Sequence, residues 1–472
     1  MTFDDLSPEP HRPVHGAAAS ARSTPAPATA ALARALTSTS WDLMPPSLRT
    51  HALDLITDSV AVIGGGAVNP AMVSLRGAIT SSDGPSTVIG PGYAAATRDA
   101  VLLNAATITV LQRQDGYSAA IGHPASQLFA ALFAIAEQRA IGSRDFLEAF
   151  VGGYEVAARV GVSLGGVPPH LHDIGNWVTI GVSAAAASLL SGRDVTCITA
   201  AIEGAASLAL AFDRYTTAAG ATMHHLYPAM AAIEALTIGE AAAAGLSSLP
   251  GSLERYYGRH FGRRFDPTAL VDGVDTMGWS RYMIGEGYIK LHPSCAHLHG
   301  VNDAVAMLIA EERVREKDVE HVDVAVFDDA MRIESSDPHN ELAARFSARA
   351  TVASALRYGH LDDAGLLDSD ALASLMRRIE VRHDPSLDRH KPAGRPGRVT
   401  VTLKDGRTVS RTVIHPRGTP QVPATRSERS EKARTLLARP YGEARTKEII
   451  AAIQELPSSD SLHDLTATLR IT

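Results

Sequence analysis

The sequence predicts a mainly α protein in three parts: a helical N-terminal body, an α+β module at roughly 273–415, and a helical return at the C-terminus. Three observations predict it. Alanine-rich segments with apolar residues three and four apart dominate residues 28–245. From about 280 the texture changes to alternating runs, the clearest being VTVTLKDGRTVSRTVI, a hairpin pattern with Asp405-Gly406 at its turn. Pro416, Gly418, Pro420 and Pro423 then mark a linker, after which 427–472 reads as helix again.

A chain of 472 residues exceeds one ordinary core, so two domains are expected: 29–272 with 416–472, and 273–415. Residues 1–28, rich in Pro, Ala, Ser and His, read as a disordered tail. They lack the apolar run of a signal peptide, and the early acids Asp4, Asp5 and Glu9 argue against a transit peptide. In the body, Leu53, Ile56, Val60 and Ile63 share one helical face, and Gly64-Gly65-Gly66 is expected to stop that helix. A short strand is expected at Ser86–Ile89. Ser143, Asp145 and Glu148 open a helix reaching about Val160. Further helices are expected at 178–190, 196–212 and 228–244. In the module, 299–312 and 341–357 read as helices and 321–327, 379–383 and 399–403 as strands.

With only 5% aromatic residues among 45% apolar ones, the core should rest on closely packed alanine-rich helices. The net charge of −7 is dispersed over both signs, so no nucleic-acid partner is expected. The most apolar late window, Val178 to Leu190, is too short to span a membrane, and a cytoplasmic protein is expected. Two cysteines, Cys197 and Cys295, cannot form a disulfide framework, a four-cysteine zinc site or the usual cysteine-held iron–sulfur cluster.

Candidate chemistry lies where apolar runs are interrupted. QRQDGYSAAIGHP, residues 112–124, places Arg113, Asp115, Tyr117 and His123 on a glycine-bearing loop between two apolar segments. A solvated turn is the alternative. Eight of the 19 histidines fall in this and three similar breaks: His123; His170 and His172; His224 and His225; His292, His297 and His299. Imidazoles exchange protons near neutral pH and, when protonated, bind carboxylates. No His-Glu-x-x-His or Cys/His spacing occurs, so no metal is expected. Lys290 stands at the joint between body and module, a favoured place for a pocket. Gly161-Val162-Ser163-Leu164-Gly165 matches a nucleophile elbow, but a helix precedes it where that motif needs a strand.

Taken together, LNAATITVLQRQDGYSAAIGHPAS, AIAEQRAIGSRDFLEAFVGGYEVAARVG, YIKLHPSCAHLHGVNDA, AARFSARATVASAL and VTLKDGRTVSRTVIHPRGTP resemble the MmgE/PrpD family over nearly all of the chain beyond the tail. That family includes 2-methylcitrate dehydratases, cis-aconitate decarboxylases and an iminodisuccinate epimerase. The resemblance implies a large all-helical domain built from both chain ends, an inserted α+β lid domain, a homodimer and no cofactor. It implies a lyase, dehydratase or decarboxylase, acting on a small carboxylate by acid–base catalysis; an epimerase or a non-catalytic binding member are the alternatives. By this resemblance His123, His172, His224, Lys290 and Asp115 carry the chemistry, with Asp173 a one-residue alternative to His172. Arg113, Tyr117, His225 and His299 bind substrate. The chain departs from the family at Arg113, where an aspartate is expected, at His224, where a lysine is, and at Ala350, where a tyrosine often stands.

Overall fold

The computed structural model describes residues 27–79 and 82–471. The expected tail lies outside them except for Pro27 and Ala28, which open the first helix, Pro27–Thr37. The chain is mainly helical. Its larger apolar core draws on residues from Leu32 to Ile289 and again on Ala433, Leu436, Leu437, Ile449, Ile453 and Leu469. Trp279, Met283, Ile284 and Ile289, assigned by sequence to the 273–415 module, pack in this core. A second core runs from Leu298 to Leu403.

The Pro46–Ala67 helix corrects one expectation. It continues through Gly64, Gly65 and Gly66 instead of stopping there. These glycines act through closeness: a Cβ on Gly65 would stand 2.9 Å from Leu436 Cβ, and one on Gly66 2.8 Å from the Thr107 carbonyl oxygen. The helical segment Arg426–Glu455, kinked at Gly442 (φ 73°), therefore lies at Leu436 and Leu437 directly on the Gly64–Gly65 groove, held also by the buried Lys432–Asp58 ion pair at 2.5 Å. Around them pack Pro124–Arg139, Ser143–Ser163, Trp177–Ser191, Val195–Leu208 and Leu226–Ala243. Ser163 ends its helix fully buried, with its hydroxyl donating to the Val160 carbonyl, so the apparent nucleophile elbow is a helix terminus. No single helix among the described residues is long and apolar enough to cross a membrane; Pro46–Ala67 and Pro70–Ala78 pass only jointly, bent by 80°.

The second core lies under a four-stranded sheet ordered Thr408–Val413, Gly397–Leu403, Val319–Val326, Ile379–His383. The first two pairings are antiparallel and the last is parallel. In Gly397–Leu403 every second residue is buried, the period a sheet with one covered face requires. His299–Glu311 and Ala348–Tyr358 pack on it. The helix expected over 341–357 is two, Glu341–Ala344 and Ala348–Tyr358, because Ser347 turns to cap the second by accepting from Ala350 N–H. At 86–95 the expected strand, Ser86–Val88, finds its partner in Tyr93–Ala95.

Candidate active site

The loop at 112–124 is fixed from two sides. Asp115, fully buried, accepts hydrogen bonds from Ala125 N (2.8 Å), Ser126 N (2.9 Å) and Ser126 Oγ (2.7 Å), and so caps the Pro124–Arg139 helix. Burial pushes its carboxyl up to about 6 against the pull of those donors. Gly116-Tyr117 pairs with Gly287-Tyr288, joining this loop to the one that carries Lys290. A Cβ on Gly116 would fall 2.4 Å from Tyr288 Oη, so only glycine fits here.

This seam borders a cleft lined by His123, His172, Asp173, Arg214, Tyr288, Lys290, Cys295, His297 and Arg395 among others. Gln112 and Ile121 also line it, with φ of 49° and 54°, values that non-glycine residues seldom adopt outside constrained sites.

Of the three cleft histidines, His123 and His172 are held in opposite tautomers. His123 Nδ1 must donate to the Asp115 carbonyl oxygen at 2.5 Å, which leaves Nε2 bare. His172 Nδ1 accepts from Ile174 N–H at 3.0 Å, which puts its proton on Nε2. Burial, reinforced by Lys290, pushes His123 down to about 3, and burial pushes His172 down to about 4, so both rings are neutral at rest. Between them Asp173 has one carboxylate oxygen 3.9 Å from His123 Nε2. Its other oxygen is 3.7 Å from His172 Nδ1 and 3.5 Å from Arg214 Nη2. Burial opposes its ionisation, but these neighbours outweigh burial and hold it down to about 2.

Lys290 is 1% exposed, and no carboxylate pairs with it among the described residues. Its Nζ donates to the Gln112 carbonyl at 3.3 Å. Burial pushes the ammonium down to about 8. Tyr288 is pushed up to about 12 by burial, so its phenol stays protonated. Cys295 is raised by burial and stays a thiol.

The remaining expected site residues lie around this cleft or beyond it. His224 is fully buried, with its ring 4.8 Å from that of His172 and neither nitrogen hydrogen-bonded. His225 meets Thr109 Oγ1 at 3.1 Å. Tyr117 is a core residue, edge-on to Tyr154 at 6.1 Å. Arg113 turns to Asp363 at 3.5 Å, a carboxylate shared with Arg345 and Arg439. His299 opens the His299–Glu311 helix with Nε2 3.3 Å from the Ser294 carbonyl oxygen. None of Asp115, Arg113, Tyr117, His224, His225 or His299 lines the cleft. Among the charged and phenolic lining residues, Arg214, Tyr288 and Arg395 had no reading of their own in the sequence. Arg214 opens a short 3-10 turn, Arg214–Thr216, and Arg395 stands in an irregular segment, neither with a local signal, and Tyr288 is disclosed only by its pairing with Gly116. Ala350 is buried in the module. One described group, His321, Asp323 and Glu380, brings three potential metal ligands within 4.8 Å; it sits on the module's sheet and does not line the cleft.

The chain thus combines a helical body, an α+β module and a cleft that holds imidazoles and an ammonium with no carboxylate paired to it among the described residues. Residues 30–263 match the MmgE/PrpD N-terminal domain and residues 292–456 the MmgE/PrpD C-terminal domain; the chain belongs to the MmgE/PrpD family. It is 26% identical over 465 residues to a cis-aconitate decarboxylase of Aspergillus terreus (strain NIH 2624 / FGSC A1156), covering 91% of this chain and 92% of that protein. It is 27% identical over 423 residues to the cis-aconitate decarboxylase-like protein oryM of Aspergillus oryzae (strain ATCC 42149 / RIB 40), covering 82% and 85%. The family and these relatives point to an enzyme of the lyase type.

Proposed function

We propose that this chain is a cofactor-independent lyase that decarboxylates a small unsaturated di- or tricarboxylic acid of the cis-aconitate kind. One observation carries the reading: a buried ammonium, Lys290, lines the cleft with no carboxylate paired to it among the described residues. An unpaired buried cation is costly unless an anion completes it, and a substrate carboxylate is such an anion. In the reaction the bond to the departing carboxylate breaks and carbon dioxide leaves. The electron pair stays on the carbon skeleton, spread over the neighbouring unsaturation. Lys290, whose proton burial has loosened, gives that proton to carbon and recovers one from solvent. His172 Nε2–H donates a hydrogen bond to a substrate oxygen.

A second reading has its own support. Decarboxylation needs no base, yet His123 presents a bare Nε2 backed by the Asp173 carboxylate. That pair suits proton abstraction beside a carboxylate, with Lys290 protonating a leaving hydroxyl (dehydration) or the same carbon (epimerisation). Incubating the purified chain with cis-aconitate and a panel of di- and tricarboxylates in D2O, followed by NMR and carbon dioxide detection, separates the readings. Carbon dioxide with one deuteron on carbon supports the first, loss of water or deuterium exchange alone the second. No turnover on any acid removes the lyase reading and leaves a binding protein.

An inserted lid closing over a body made from both chain ends and a homodimer belong to the same proposal and rest on family membership, whereas the cytoplasmic setting rests on the sequence reading of the N-terminal residues and apolar windows. Sedimentation of the purified chain tests the dimer.

A further inference from the structure

Arg395 is a second cation in the cleft that meets no carboxylate among the described residues. It is 6% exposed, its guanidinium lies 5.2 Å over the Tyr288 ring, and Nη1 donates to Ser118 Oγ at 2.8 Å. It comes from the α+β module, whereas Lys290 comes from the joint and Ser118 from the 112–124 loop. Its position is set by backbone packing. Arg395 N–H donates to the Ile414 carbonyl at 3.1 Å. A Cβ on Gly300 would stand 2.4 Å from the Arg395 carbonyl oxygen, and one on Gly397 2.4 Å from Val301 N. The segment at 395–397 therefore lies backbone against backbone on the start of the His299–Glu311 helix, which leaves the arginine little freedom.

A guanidinium differs from an ammonium in use. It cannot act as an acid at ordinary pH, and its planar fork matches the two oxygens of a carboxylate. We propose that Arg395 is a specificity-determining residue: it binds a substrate carboxylate that the reaction retains, oriented by Ser118, so that ligands need one carboxylate for Lys290 and another for Arg395. Nη1 is occupied by Ser118, and the rest of the fork is free of protein acceptors among the described side-chain contacts. The cation–π contact with Tyr288 holds the plane of the fork without neutralising it. This inference rests on reading the cleft as a carboxylate site.

Calorimetric binding tests it without requiring turnover. The probes are propane-1,2,3-tricarboxylate and its terminal and central monomethyl esters, against the parent chain, Arg395→Gln, Arg395→Lys and Ser118→Ala. Arg395→Gln should weaken the tricarboxylate roughly 10- to 100-fold, the range of a charge-assisted hydrogen bond, while at least one monoester binds parent and variant equally. Arg395→Lys should recover part of the loss, and Ser118→Ala should show a smaller loss of the same pattern. If Arg395→Gln does not fold, Ser118→Ala carries the same comparison. Equal weakening of all three probes, or of none, overturns the role of Arg395 and leaves the lyase reading intact. Failure of the parent chain to bind any of them overturns both.

Discussion

His123 Nε2 lies 3.9 Å from Asp173 Oδ2, although two helices, Pro124–Arg139 and Ser143–Ser163, separate the residues in the chain. The imidazole is neutral at rest, so the carboxylate acts when that nitrogen becomes charged. At about 4 Å and an effective dielectric near 20, a full charge pair is worth roughly 4 kcal/mol at most. Asp173→Asn keeps the shape and removes the charge. If proton abstraction occurs, kcat should fall on the order of 10²- to 10³-fold with KM little changed, read from steady-state kinetics. Decarboxylation alone predicts a much smaller effect, so this variant also ranks the two proposed chemistries.

Lys290 gives a pH dependence of definite sign. Its ammonium is charged below about 8 and is lost above it, so kcat/KM should fall as pH rises through that value. His123, pushed down to about 3, adds no inflection in the ordinary histidine range. A pH–rate profile that rises between pH 7 and 9 would contradict the assignment.

The same group predicts a stability effect. Its pKa is lower in the folded chain than in the unfolded one, so the unfolded state holds more protons between about 8 and 10.5, and its contribution to stability rises with pH across that window. Below it, the buried cation costs stability. Lys290→Met should therefore raise stability at neutral pH by on the order of 1–3 kcal/mol, read as a higher Tm, while weakening carboxylate binding. Thermal melts with and without ligand measure both.

Asp115 should behave as a structural residue. Asp115→Ala removes three acceptor contacts and a helix cap, and should cost about 2 kcal/mol or more in denaturant unfolding. Asp115→Asn should lose less, and its activity should track the folded fraction.

Gly116→Ala probes the seam itself. The added methyl overlaps the Tyr288 ring, so the Gly116–Tyr288 pairing must open and the Lys290 segment must shift. Activity should drop more than 10-fold, since small displacements near reacting groups cost that much or more.

Much of the element order was legible because it rests on local periodicity. Ile379–His383 was readable as a strand, the Asp405-Gly406 hairpin from its turn, and Trp177–Ser191 within one residue at each end. The glycine triplet misled because a helix stop and a helix groove use the same residue; only the approach of Leu436 decides between them. At the site, histidines stood out as a residue type, which is why His123 and His172 were found. Arg395 and Arg214 were not, since an arginine in an irregular segment or a short turn looks like any solvated one until the fold buries it. Arg113, next to His123 in the same motif, was readable as a candidate but faces Asp363, because direction along a loop is set by tertiary partners.

The Gly64–Gly65 groove has a consequence for synthesis. Its cover, the Arg426–Glu455 helix, emerges among the last segments of the chain. Throughout translation, an apolar strip made early has no native partner. A nascent chain in that state invites chaperone capture, and premature termination before 426 would leave the strip permanently bare and prone to aggregation.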